Sequence, residues 1–103
     1  MPFTEIWADE LYERMRNGEE IYLLDVRELV EWLAEHIPGA IHIPLGEIPR
    51  RYVELDKEKE IYIICRSGNR SAMAARYLSQ LGFKTVNVAG GMLNWPGEIE
   101  VGA

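Results

Sequence analysis

The residues best suited to chemistry lie in one run, Cys65-Arg66-Ser67-Gly68-Asn69-Arg70-Ser71. A cysteine reacts as its thiolate, which forms where cations, backbone N–H groups or a helix N-terminus stabilise negative charge. This run can supply all three. Gly68 and Asn69 are the residue types that most readily accept positive φ, so the chain can curl tightly there. A curled loop that enters a helix aims its N–H groups inward as an anion nest, and the helix adds partial positive charge. Arg66 and Arg70 add two full charges. The expectation is a Cys65 thiol of lowered pKa, in a cradle that attracts an anionic substrate. Two blander readings compete: an inert small hydrophobe at a strand end, and an anion-binding loop without covalent chemistry. The arginines, the Gly-Asn pair and the following helix weigh against the first.

The flanking pattern says which elements hold this loop. Ile61-Tyr62-Ile63-Ile64 is the strongest strand signal, and Cys65 follows it directly. Other strands are expected at Phe3–Ile6, Ile21–Asp25, Ala40–Ile43 and Thr85–Val88. Helices are expected at Asp9–Asn17, Glu28–His36, from Pro49 to about Leu55, and at Ser71–Leu81, with Gly18, Pro38-Gly39 and Gly82 as stop signals. A turn follows at Met92–Trp95, and Pro96-Gly97 opens an irregular tail. Strands alternating with helices imply βαβ units: an α/β fold with a central parallel sheet of about five strands and helices on both faces. Sites in such sheets form at the carboxyl ends of strands. Cys65 sits at one such end and Asp25-Val26-Arg27 at another.

Composition narrows the function classes. The 103 residues suit one domain over 1–103, and the net charge of −6 disfavours nucleic acid or an anionic membrane as partner. A lone cysteine forms no internal disulfide, no CxxC pair and no multi-cysteine zinc site. Met1–Trp7 has neither a basic nor an apolar signal region, and no apolar run approaches a membrane span, so a cytoplasmic location is expected.

The loop resembles the active-site loop of single-domain bacterial rhodaneses. Asp25-Val26-Arg27-Glu28 and His36-Ile37-Pro38-Gly39-Ala40-Ile41-His42-Ile43-Pro44 are similar to that family's upstream signatures, and Val88-Ala89-Gly90-Gly91-Met92-Leu93-Asn94-Trp95 to its closing segment. The resemblances run in family order from about residue 4 to residue 95. They imply a three-layer α/β/α rhodanese-like domain and a sulfurtransferase. A small anionic donor, thiosulfate-like or a persulfide, would load sulfane sulfur onto Cys65, and cyanide, a thiol or a protein would accept it. Arg66, Ser67, Gly68, Asn69 and Arg70 would form the cradle, with Asp25, Arg27 and Ser71 supporting it. No cofactor and no metal are implied. Arg66 stands where mercaptopyruvate-using relatives tend to carry glycine, which favours thiosulfate or persulfide donors. Phosphatases and arsenate reductases of related fold carry Cys-x5-Arg, whereas here Arg70 follows four intervening residues and Ser71 holds the later position. The shorter cradle is too tight for a tetrahedral phosphate. The alternatives are a non-catalytic sulfur-carrier or partner-binding module and a dead regulatory domain; the intact Cys65 opposes the latter.

Other residues carry weaker signals. His36 and His42 have no ligand-type partners at metal spacing and read as helix-end or strand-surface residues. Arg27 reads as a structural partner of Asp25 or Glu31 ahead of a substrate-binding cation. Trp32 and Trp95 read as core or rim. Glu31 and Glu35 read as a solvated helix face, and Lys57–Glu60 as a mixed-charge turn.

Overall fold

A computed structural model describes residues 3–103; the expectation for the chain start therefore falls partly on Met1 and Pro2, which lie outside the described residues. Five apolar runs become strands: β1 (Thr4–Trp7), β2 (Tyr22–Asp25), β3 (Ile41–His42), β4 (Glu60–Ile64) and β5 (Lys84–Ala89). They form one sheet in the order β1-β5-β4-β2-β3, with every pairing parallel. The central strand is β4, whose four apolar residues are all buried because both faces of the sheet are covered. Its side chains alternate between the two layers of core. Ile61 and Ile63 pack with Leu24, Ala74 and Leu78, while Tyr62 and Ile64 pack with Leu11, Leu23 and Val88. Fully burying one such isoleucine is worth roughly 1.5–3 kcal/mol.

The helices are α1 (Ala8–Arg16), α2 (Leu29–Ala34), α3 (Ile48–Arg51) and α4 (Asn69–Gln80). Of these α1, α3 and α4 supply the covering layers, while α2 buries no residue. Ala8 and Leu11 of α1 pack on one face; Ile48 of α3 and Ala74, Ala75 and Leu78 of α4 pack on the other. The result is the expected α/β/α sandwich. As the sequence suggests, α1 has no side-chain cap, since Trp7 occupies the N-cap.

Most boundaries move by a residue or two, α3 ends early at Arg51, and three further differences bear on the site. Helix α2 stops at Ala34, because Glu35 turns extended (φ −170°, ψ 143°) and His36 pairs with the tail: His36 N–H donates to Glu100 O and Glu100 N–H to His36 O. The tail from Pro96 is thus tied back over α2, and Gly102 N–H also donates to Leu33 O. Strand β3 shrinks to two residues, paired only with β2 at the sheet edge. Helix α4 begins at Asn69, two residues early, because Gly68 serves as its N-cap in the left-handed region (φ 111°). Gly68 alone makes the tight curl, and Asn69 and Arg70 belong to the first helical turn. Among the described residues no helix is long and apolar enough to cross a membrane.

Candidate active site

The site lies at the carboxyl ends of β2, β4 and β5, where the chain leaves the sheet in three adjacent loops. Cys65 follows β4 and is 1% exposed. The curl at Gly68 brings its own N–H back onto the cysteine, donating to Sγ at 3.1 Å. Ser71, buried in the first turn of α4, places Oγ 3.3 Å from Sγ. Burial pushes the Cys65 thiol up, but the Ser71 hydroxyl and the backbone N–H groups of Ser71, Gly68 and Ser67 pull it down further. The net position is below the ordinary thiol value, as the sequence predicts. The cause differs from the prediction: the leading stabilisers are neutral donors, not Arg66 and Arg70.

Ser71 has one hydroxyl hydrogen and two neighbours that want it. It donates to Asn87 Oδ1 on β5, and the amide of Asn87 is oriented by donating from Nδ2 to Glu5 Oε2 (2.8 Å) and to Gly68 O (3.3 Å). While that bond stands, Ser71 accepts from the Cys65 thiol; when the thiol ionises, the hydroxyl must turn to donate to sulfur. Asn87 is a site neighbour that the motif reading passed over. Its signal was a polar residue within the apolar run Thr85-Val86-Asn87-Val88.

The two arginines have different fates. Arg66 is exposed and makes no ion pair among the described residues. Arg70 is forked onto Glu31 of α2, with Nη1–Oε1 at 2.7 Å and Nη2–Oε2 at 2.9 Å. Glu31 is therefore not the solvated surface residue expected; it is half-buried, and the Arg70 guanidinium holds its carboxyl down to about 2. The expectation failed because Glu31 and Arg70 are 39 residues apart, and only the tertiary fold faces them.

Asp25 and Arg27 form a closed pair beneath the mouth. Arg27 donates from Nε and Nη2 to the Asp25 carboxylate (Nη2–Oδ2 2.8 Å), and its backbone N–H donates to Oδ1. Both side chains are buried, and Arg27 Nη2 also donates to Glu35 O, anchoring the end of α2. This is the structural pairing the sequence favours, with Asp25 rather than Glu31 as partner. Behind the loop, Gly91 opens a 3-10 turn (Gly91–Asn94) whose Met92 and Leu93 N–H groups donate to Cys65 O (2.9 Å) and Arg66 O (3.0 Å). A side chain at Gly91 would collide with those carbonyls. A cleft of about 220 Å³ beside the loop is lined by Arg27, Glu31, Glu35 and Leu93, and of the Cys65–Arg70 loop by Arg66 alone. The more apolar groove of about 540 Å³ between α3 and α4 is lined by no residue of the Cys65–Arg70 loop.

The histidines frame Trp32. His36 stacks on one side with ring centroids 3.7 Å apart, and His42 lies at 4.8 Å. His36 is buried, its ring nitrogens on Trp32 O and Glu100 Oε1, and His42 Nε2 donates to Arg27 O. Trp95 packs edge-on against Tyr12.

A lone cysteine sits in an N–H cradle at the end of a strand in a parallel sheet, and comparison decides the lineage. The model of the rhodanese-like domain matches residues 8–98. The chain belongs to the rhodanese-like family. Among rhodanese-like relatives, it is 50% identical to YtwF of Bacillus subtilis, a protein provisionally named a sulfurtransferase, over 95% of both chains. It is 48% identical to YrkF of the same organism, provisionally named a sulfur carrier protein; that match covers 93% of this chain and 52% of YrkF. The crystal structure of a rhodanese-like domain protein from Staphylococcus aureus superposes with a TM-score of 0.91 at 34% identity, covering 98% of this chain and 100% of that one.

Proposed function

We propose that this rhodanese-like protein is a sulfurtransferase that carries sulfane sulfur on Cys65 as a persulfide. The observation that carries the reading is the sulfur atom itself: Cys65 Sγ sits at the end of β4, buried, with the Gly68 N–H on it and the Ser71 hydroxyl beside it. That setting holds the thiol below its ordinary value and so raises the thiolate fraction available to attack a donor. The thiolate attacks the outer sulfur of the donor. As the Sγ–S bond forms, the donor's S–S bond breaks and its electron pair leaves with the donor remnant, which is sulfite when the donor is thiosulfate. An acceptor nucleophile (cyanide, a thiol or a protein) then attacks the terminal sulfur, and the electron pair of the Sγ–S bond returns to Cys65. Between the two steps the anionic persulfide is stabilised by the same N–H groups. Arg66, Ser67, Gly68, Asn69 and Arg70 make up the cradle and its mouth. Asp25, Arg27 and Ser71 hold it in place.

The test is the intact mass of the protein after mixing with thiosulfate or a hydropersulfide. A gain of one sulfur, lost on adding cyanide or a thiol, is expected. No gain with any donor sinks the reading. The similarity to YrkF favours a second reading, a sulfur carrier loaded by another protein. It would show a stable persulfide yet no turnover of thiosulfate and cyanide.

A further inference from the structure

The mouth of the site carries less free positive charge than its sequence advertises. Of the arginines near it, Arg27 is closed by Asp25 and Arg70 by Glu31. Glu31 cannot easily swing away: Oε1 also accepts the Glu28 N–H at 3.0 Å, completing the capping box of α2. It does not release Arg70 by protonation either, since its carboxyl stays ionised down to about pH 2. Outside these closed pairs the cleft beside the loop is lined by one cation, Arg66, and one carboxylate, Glu35. Arg70 is not in that lining and bears on the site through its charge interaction with Cys65. A closed ion pair attracts an approaching anion far less than a bare guanidinium does, and the chain's charge of −6 adds no help.

We propose that Glu31 is a specificity-determining residue: by holding Arg70 in an internal ion pair it disfavours doubly charged donors such as thiosulfate relative to singly charged hydropersulfides. The proposal rests on the sulfurtransferase reading and names the donor class within it. Glu31 acts through Arg70 and the field at the mouth, not on the reacting atoms. An opposite role is conceivable on the same geometry, in which Glu31 merely aims Arg70 at the donor. The two predict opposite signs.

The variant is Glu31→Gln. The single oxygen of glutamine can still accept from the Glu28 N–H and from Arg70 Nη1, the two bonds Oε1 makes, while the charge and the second arm of the fork to Nη2 are lost. The thiosulfate KM should fall about fivefold to tenfold at low ionic strength with kcat little changed. The gain should fade at about 0.5 M salt, where screening acts over a few ångström. The KM for the hydropersulfide of a neutral thiol should fall less. A second readout needs no sulfur transfer: the rate of Cys65 alkylation by anionic iodoacetate, divided by that by neutral iodoacetamide, should rise several-fold. An unchanged or raised thiosulfate KM together with an unchanged alkylation ratio would overturn the proposal and leave Glu31 as a scaffold for Arg70. If the wild-type protein forms no persulfide with any donor, the sulfurtransferase reading falls, and the alkylation ratio alone still decides whether Glu31 sets the charge at the mouth.

Discussion

At the scale of single residues, the chemistry rests on how one sulfur is held. Neutral donors, the Ser71 hydroxyl first and then backbone N–H groups, offset the burial of Cys65. Ser71→Ala should therefore raise the thiol pKa. Since the reactive form is the thiolate, alkylation at pH 7 should slow about tenfold, the worth of one hydrogen bond to a charged group. Iodoacetamide rates measured against pH check this; a midpoint that does not move would show that the N–H cradle suffices. Cys65→Ser should keep the fold, because the site is 1% exposed and the side chains are similar in size. It should take up no sulfur by mass. Sulfur transfer from thiosulfate to cyanide by that variant would end the Cys65 mechanism.

Between elements, two tethers reach the loop, the Gly91 turn behind it and the Glu31–Arg70 pair, while the Asp25–Arg27 pair fixes the end of α2 through Glu35 O. Gly91→Ala must place a Cβ against the carbonyls of Cys65 and Arg66 at φ 54°. A loss of at least about 2 kcal/mol in urea unfolding is expected, with slower sulfur uptake. Arg27→Met leaves Asp25 buried without its counter-charge and should cost roughly 3–5 kcal/mol, read by the same titration. The Glu31 tether sets an acid limit. Its carboxyl pKa is depressed on folding, so its contribution is complete above the ordinary value of about 4.5 and is lost as pH falls through about 2. Trp32 fluorescence during acid unfolding reads this on the same helix. In Glu31→Gln that component of the pH dependence should be missing.

For the whole molecule, the decisive fact is a single cysteine in the chain. Enzymes that discharge an oxidised cysteine internally use a second, resolving thiol. On the proposed mechanism a persulfide on Cys65 meets no second cysteine in this sequence and passes to an external acceptor. The donor remnant should therefore depart before the acceptor binds, giving parallel lines in double-reciprocal plots of rate against donor at several acceptor concentrations. Intersecting lines would mean a ternary complex and a different route for the sulfur.

Local pattern determined the elements and the place of the one thiol. Five apolar runs, their stop signals and the Cys65–Ser71 segment were enough to place a thiol at the end of a central parallel strand. Such signals depend on neighbours within one turn or one strand, and the chain reports those directly. Tertiary structure decided the electrostatics. Glu31 looked solvated beside Glu35, and Arg70 looked like a free cation, until the fold closed a 39-residue gap between them. Asn87 likewise met Ser71 because α4 packs against β5, and met Glu5 because β1 and β5 pair side by side. An ion pair or a shared hydroxyl proton depends on distances of about 3 Å between remote segments, and no periodicity in the chain encodes those.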